Sequence, residues 1–185
     1  MLSAPSGAGK TTLARYAVGN VASIRQSVSC TTRPIREGEV DGVSYVFVDR
    51  QRFKEMIQNK AFIEYATVHE NYYGTPIELL EKAKREKYDL LLVIDVQGAA
   101  QIREMGLDAV FIFVKPPSME ELKRRLGFRG SENDGEIEKR LEVAKKEIEQ
   151  SAFYDHIIVN DDLETAQKEL GNIIAGERER SGRGG

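Results

Sequence analysis

Ala4-Pro5-Ser6-Gly7-Ala8-Gly9-Lys10-Thr11 has the residue types and spacing to bind a triphosphate. It fits the phosphate-loop pattern G-x-x-x-x-G-K-[ST] at every position but the first, where Ala4 stands for glycine. Such a loop is a tight turn with inward-pointing backbone N–H groups, so Gly7 and Gly9 must supply positive φ angles. Lys10 then reaches the β- and γ-phosphates, Thr11 is placed to ligate Mg²⁺, and Thr12 follows on the same helical turn. The N-terminus of the helix favours the anion. Ala4 adds one methyl and is expected to loosen the fit. The competing reading is a turn that only caps a structural helix; a strand-to-helix position in an α/β pattern decides against it. The loop implies a nucleoside triphosphate and leaves the reaction open.

A second group could hold another anion. Ser29-Cys30-Thr31-Thr32-Arg33-Pro34-Ile35-Arg36 sets two arginines three apart around a proline, with hydroxyls just before them. Arginine forks suit bidentate phosphate binding. Tyr45 follows, and Asn71-Tyr72-Tyr73-Gly74-Thr75 brings two more phenols close to a helix start. Taken singly, these residues read as solvated arginines and core-anchoring tyrosines. Beside a phosphate loop they read together as a second phosphate site. No general base stands out, since His69 and His156 are isolated and read as structural. A phosphate-monoester acceptor is already ionised near neutral pH and needs no base, so catalysis reduces to positioning two anions and neutralising charge.

The elements that must position these groups alternate. Lys10 to about Val18 reads as a helix, Ile24–Ser29 and Val43–Val48 as strands, and Cys30–Gly42 as a loop. Asp49 caps a helix carrying Phe53, Met56 and Ile57, and Ala61–Tyr73 reads as short strands. Thr75-Pro76-Ile77-Glu78 has the form of a capping box, opening a helix with Ile77, Leu80 and Ala83 inward. Leu90–Val96 and Ala109–Val114 read as buried strands around a Gln97–Met105 helix. Ser118-Met119-Glu120-Glu121 is a second capping box for a helix through about Leu126. After a polar loop over Gly127–Gly135, an amphipathic helix spans about Glu136–Ser151, with Ile137, Leu141, Ala144 and Ile148 inward. His156–Val159 is a last strand, and Asp161 or Asp162 caps a helix to about Ala175. Strands alternating with helices predict a parallel sheet covered on both faces, interrupted by the strand-rich, polar segment Ser29–Tyr73. No internal repeat or linker divides the chain.

Composition narrows the classes. The 185 residues are 41% hydrophobic and 31% charged, which suits a globular domain and not a membrane protein. The apolar runs are too short to span a bilayer, and no charged-then-apolar leader opens the chain. The single cysteine, Cys30, excludes an internal disulfide and suggests a reducing, cytoplasmic setting. A net charge of −3 argues against a nucleic-acid binder. The sequence selects no oligomeric state.

The motifs S-x-P-S-G-A-G-K-T, S-C-T-T-R-P-x-R-x-G-E-x-D-G-x-x-Y, F-I-E-Y-A, N-Y-Y-G-T, I-D-V-Q-G and I-V-N-D-D-L occur in order over residues 3–175. In this the chain resembles the guanylate kinase family. The resemblance implies a P-loop kinase fold: a three-layer α/β/α core with a central parallel sheet, a small mixed-sheet GMP-binding insertion and a helical lid. The core would take about 1–28, 78–117 and 151–175 of a single domain, the GMP region about 29–77, and the lid about 118–150, with a disordered tail at 176–185. Lid closure would expel water from the reacting groups. The implied reaction is reversible transfer of the γ-phosphoryl group of Mg-ATP to GMP, with dGMP as a further acceptor.

By the same resemblance, Pro5, Ser6, Gly7, Ala8, Gly9, Lys10, Thr11 and Thr12 bind ATP, with Asn160 near the adenine. Ser29, Arg33, Arg36, Tyr45 and Tyr73 hold the GMP phosphate. Glu64 accepts from guanine N1–H and N2–H₂, Thr75 meets O6, and Asp95 lies near guanine and the outer sphere of the Mg²⁺. Lys10, Arg33, Arg129 and Arg140 act in catalysis, with Arg125 beside the lid arginines. The Glu64 role has its own logic, because adenine offers neither donor and a carboxylate left unpaired rejects it. From composition alone, Glu64 reads as a solvated strand carboxylate.

Two departures from the family pattern stand out. The lid loop reads Leu126-Gly127-Phe128-Arg129-Gly130-Ser131 where the family more often has R-x-x-G-R-G-T. Only Met1–Ser3 precede the phosphate loop, where the family has a full buried strand, so extending it upstream with apolar residues is expected to raise thermal stability. Two other readings compete. One is a related small kinase for another phosphorylated acceptor; the other is a non-catalytic guanylate-kinase-like module that binds phosphorylated peptides. Glu64, Thr75 and the Y-Y-G-T block oppose the first, and the intact Gly7, Gly9, Lys10 and Thr11 oppose the second.

Overall fold

A computed structural model describes residues 1–68, 70–127 and 134–182, for Asp134 the backbone alone. In chain order the elements are β1 (Leu2–Ser3), α1 (Lys10–Asn20), β2 (Ile24–Gln26), β3 (Cys30–Thr31), β4 (Val46–Phe47), α2 (Arg50–Gln58), β5 (Phe62–Val68), β6 (Asn71–Pro76) and α3 (Glu78–Glu86). Then follow β7 (Asp89–Leu91), α4 (Val96–Glu104), β8 (Ile112–Lys115), α5 (Met119–Gly127), α6 (Asp134–Glu149), a 3-10 turn (Gln150–Phe153), β9 (His156–Val159) and α7 (Leu163–Arg180). They form two compact units. Unit 1 is Met1–Ala22, Val93–Val96 and Asp108–Gly185; unit 2 is Ser23–Leu92 and Gln97–Leu107.

Unit 1 is built on the parallel sheet β1-β8-β9, and Leu2 also bridges to Val93 in parallel. Leu2, Phe113, Val114 and Ile158 are fully shielded, as the apolar runs require of strands covered on both faces. α1 adds Leu13, Ala14 and Ala17 to the core, and α7 adds Ala166 and Leu170. The Ser118 hydroxyl accepts the Glu121 N–H at 3.1 Å, so Ser118 caps the start of α5, while the Glu121 carboxylate accepts from Arg124 and Arg125. Of the two aspartates offered as caps for α7, Asp162 is the one used, accepting the Thr165 N–H at 2.8 Å.

α7 continues to Arg180, five residues past the expected end, into the stretch expected to be disordered. Tertiary bonds hold this last turn. Arg178 donates to the Ala22 carbonyl at 2.7 Å, and Glu177 pairs with His156 at 2.6 Å.

Unit 2 contains the parallel pair β2-β7 and a mixed four-stranded sheet, β4-β3-β6-β5. β3 and β4 run parallel, while β6 is antiparallel to both β3 and β5. These strands fall in the strand-rich segment expected over Ser29–Tyr73, with β6 running on to Pro76. Phe53 of α2 stacks on Phe62 at 4.5 Å and on Tyr72 at 5.3 Å between ring centroids. Gly74 passes against this stack, and a Cβ there would lie 2.9 Å from Phe62. Asp49 caps α2 through the Arg52 N–H at 2.7 Å.

The first capping box does not form. β6 runs through Pro76, α3 starts at Glu78 without a side-chain cap, and Ile77 is 40% exposed rather than inward. The Thr75 hydroxyl that would have capped the helix serves Glu64 instead.

Candidate active site

In unit 1 the phosphate loop joins β1 to α1. Gly7 and Gly9 have φ of +90° and +98°, as the pattern requires. A Cβ on Gly9 would also fall 2.1 Å from the side-chain nitrogen of Asn160. The Ala8 N–H closes a turn on the Pro5 carbonyl at 3.1 Å. Ala4 is buried and has no positive φ, so its methyl costs no backbone strain. No side chain caps the start of α1, whose first turn carries Lys10, Thr11 and Thr12 and no acid. Thr11 and Thr12 are exposed, and Lys10 donates to the Ile94 carbonyl at 2.9 Å.

Around this loop, Arg140 of α6 donates to the Ser6 hydroxyl at 2.5 Å. Asn160, past the end of β9, donates to the Ala8 carbonyl at 2.8 Å and is 5% exposed. Arg125 of α5 donates to the Asn160 carbonyl at 3.0 Å and is held by Glu121 at 2.7 Å. Hydrogen bonds from Arg124 and Arg125 lower the Glu121 carboxyl to about 2. Asp95 lies in the Val93–Val96 segment of unit 1, beside Ile94. Glu147 of α6 is pushed up by burial and by the charge of Asp95, against the pull of Lys10. Arg129 and His69 lie outside the described residues.

Unit 2 gathers the residues of the second anion site. Arg33, 9% exposed, forks onto Glu39 at 2.7 and 3.0 Å and also donates to the Pro34 carbonyl at 2.7 Å. The Glu39 hydrogen bonds raise the Arg33 pKa above its ordinary value, burial opposes this, and Tyr73 adds to the rise. The guanidinium also lies 5.5 Å from the ring centroid of Tyr45, which meets Tyr73 edge-on at 5.9 Å. Burial, then Tyr73, raises the Tyr45 hydroxyl, so it stays protonated. Arg36 is exposed, and its backbone N–H donates to Glu39 at 2.8 Å. Glu39 was not singled out from the sequence. The signal was there: an acid three residues after the second arginine.

Deeper in the same unit, Glu64 is 5% exposed on β5. Its Oε1 accepts the Thr75 hydroxyl at 2.6 Å, and Thr75 in turn meets the Ser29 hydroxyl at 3.2 Å. The solvated reading of Glu64 is therefore wrong. A buried carboxylate that accepts a neighbouring hydroxyl suits a ligand edge with adjacent N–H donors.

The family model for guanylate kinase matches residues 1–177. This chain belongs to the guanylate kinase family. It is 45% identical to a guanylate kinase of Clostridioides difficile, covering 99% of this chain and 89% of that protein. It is 48% identical to one from Syntrophotalea carbinolica, covering 99% and 87%. A crystal structure of guanylate kinase from Anaplasma phagocytophilum matches with a TM-score of 0.75 and 40% identity, over 95% of this chain and 83% of that one. Among the described residues no helix is long and apolar enough to cross a membrane.

Proposed function

We propose that this guanylate kinase family member transfers the γ-phosphoryl group of Mg-ATP to GMP, giving ADP and GDP. The observation that carries the acceptor assignment is the buried Glu64 carboxylate with its Thr75 partner. Guanine offers adjacent N1–H and N2–H₂ donors to such a carboxylate, and adenine does not. Thr75 completes the polar wall on the O6 side, and Ser29, 3.2 Å from the Thr75 hydroxyl, stays with the residues of the GMP phosphate. dGMP, with the same base, is a further acceptor.

Arg33, Arg36, Tyr45 and Tyr73 take the GMP phosphate. Arg33 suits this role because Glu39 and Pro34 occupy one side of its fork and orient the remainder. The neutral Tyr45 hydroxyl is a donor to an anion. The loop Pro5–Thr12 takes the triphosphate, with Lys10 leaving the Ile94 carbonyl for the β- and γ-phosphates. Arg140, and Arg129 by its motif, neutralise charge on the transferring group. A GMP phosphate oxygen, already ionised, attacks the γ-phosphorus while the ADP oxygen leaves, and no side chain takes a proton.

The Thr11 hydroxyl and the Asp95 carboxylate are hard oxygen donors of the kind Mg²⁺ prefers, so the residues present fit the ion. Among the described residues no three acids, histidines or cysteines cluster to hold a metal by themselves. When bound it neutralises charge on the β- and γ-phosphates. A cytoplasmic setting accords with this chemistry.

Initial rates of ADP formation from Mg-ATP with GMP, AMP, UMP, dTMP and ribose bisphosphate test the proposal. Turnover with GMP far above the others is expected. Preference for another acceptor would overturn the guanine assignment, and no turnover with any would favour a phosphopeptide-binding module.

A further inference from the structure

Gly98 of α4 faces the Glu64 carboxylate. A Cβ built on Gly98 would lie 2.4 Å from Glu64 Oε2, 3.0 Å from Cδ and 3.4 Å from Cγ. No real Cβ sits at the first of these distances from an oxygen. The backbone of Gly98 gives no other reason for glycine, since it is helical and has no positive φ. Glycine inside a helix is unfavourable relative to alanine, so what it provides here is space.

Gln101, three residues on and hence on the same helical face, grips the residue after Glu64. Its side-chain Nε2 donates to the Tyr65 carbonyl at 2.6 Å, and its Oε1 accepts the Tyr65 N–H at 3.2 Å. β5 is an edge strand of its sheet, so this two-point bond stands where a further strand would. The register of β5 on β6 shifts between Phe62 and Glu64. An irregularity of this kind re-aims a side chain, and it then needs fixing by neighbours. Thr75 holds Oε1, Gly98 admits Oε2, and Gln101 fixes the adjoining backbone.

We propose that Gly98 is a specificity-determining position, and Gln101 a positioning residue, for purine recognition by Glu64. This rests on the reading of Glu64 as the guanine acceptor. The ligand edge is the N1–H/N2–H₂ pair of a 6-oxo-2-aminopurine monophosphate. A methyl at Gly98 displaces Oε2, so the carboxylate no longer keeps the position that meets that edge. Loss of the Gln101 bond lets the strand carrying Glu64 shift without adding bulk.

The test compares the intact chain with Gly98→Ala and Gln101→Ala, using GMP, IMP and AMP as acceptors with Mg-ATP. IMP keeps N1–H and O6 but lacks the 2-amino group. For Gly98→Ala, KM for GMP is expected to rise about tenfold or more and the GMP/IMP ratio of kcat/KM to fall by a similar factor, the scale of one charged hydrogen bond. The kcat at saturating GMP stays within about threefold, because the phosphates are held elsewhere. Gln101→Ala shifts the same ratio in the same direction but less. Alanine favours the helix, so the melting temperature of Gly98→Ala is expected to hold, and Gln101→Ala provides a second reading at the same carboxylate. An unchanged GMP/IMP ratio in both variants, with the parent preferring GMP, overturns this inference alone. A parent with no preference for GMP over AMP overturns it together with the function it rests on.

Discussion

The side-chain amide of Asn160 donates to the carbonyl of Ala8 at 2.8 Å, tying the end of β9 to the phosphate loop. The same nitrogen fills the space that a Cβ on Gly9 would need. Asn160 therefore fixes the shape of the loop, a role apart from the adenine contact that its motif implies. Asn160→Ala leaves the Ala8 carbonyl without this donor, at about 1–3 kcal/mol for a buried unsatisfied group. We expect a lower melting temperature and a several-fold higher KM for ATP, with GMP binding unchanged. A thermal melt and an ATP titration check this.

Lys10→Ala should reduce turnover by about a thousandfold or more, since it removes the cation at the developing phosphate charge. GMP affinity should stay within about twofold, because the acceptor residues lie in unit 2. Calorimetric titration with GMP beside a steady-state assay separates the two effects. Near-normal turnover would contradict the loop's role.

Glu39→Gln tests the tether on Arg33. The variant loses the charge that orients the fork and raises the arginine's pKa. KM for GMP should rise about three- to tenfold, with kcat little changed. An unchanged KM would show that Arg33 is oriented without Glu39.

Much of the donor half was legible from residue order alone, because a phosphate loop is a local structure. Gly7, Gly9, Lys10 and Thr11 are contiguous, and the positive φ angles follow from glycine itself. The Glu64 site was not legible in that way. A glutamate on a strand reads as solvated, and its burial is set by Thr75 and Gly98 on other elements. Thr75-Pro76-Ile77-Glu78 also carried a misleading local signal, since the hydroxyl that resembled a helix cap had a tertiary partner. The last turn of α7 was missed for the same reason: its charged residues read as a tail until Ala22 and His156 supply partners.

Cys30 offers a pH-dependent check on the sheet of unit 2. Burial first, then the charge of Glu78, pushes its thiol up from 9.0 to about 11, against Arg52. The unfolded chain gives up this proton first, so the cysteine's contribution to stability falls as pH rises from about 9 towards 11. Below that window the thiol is neutral in both states. Iodoacetamide at pH 8 should label the folded protein far more slowly than the urea-unfolded chain. Equal rates would mean that β3 is not buried as described.

The central claim is that a buried carboxylate in unit 2 makes the acceptor guanine. Its most direct test is kcat/KM for GMP against AMP in the parent protein and in Glu64→Gln, both with Mg-ATP. The account predicts a strong preference for GMP in the parent. It predicts a loss of about 1.5–3 kcal/mol of that preference in Glu64→Gln, the worth of a hydrogen bond to a charged group. A parent that accepts AMP equally, or a variant that keeps the full preference, would contradict it.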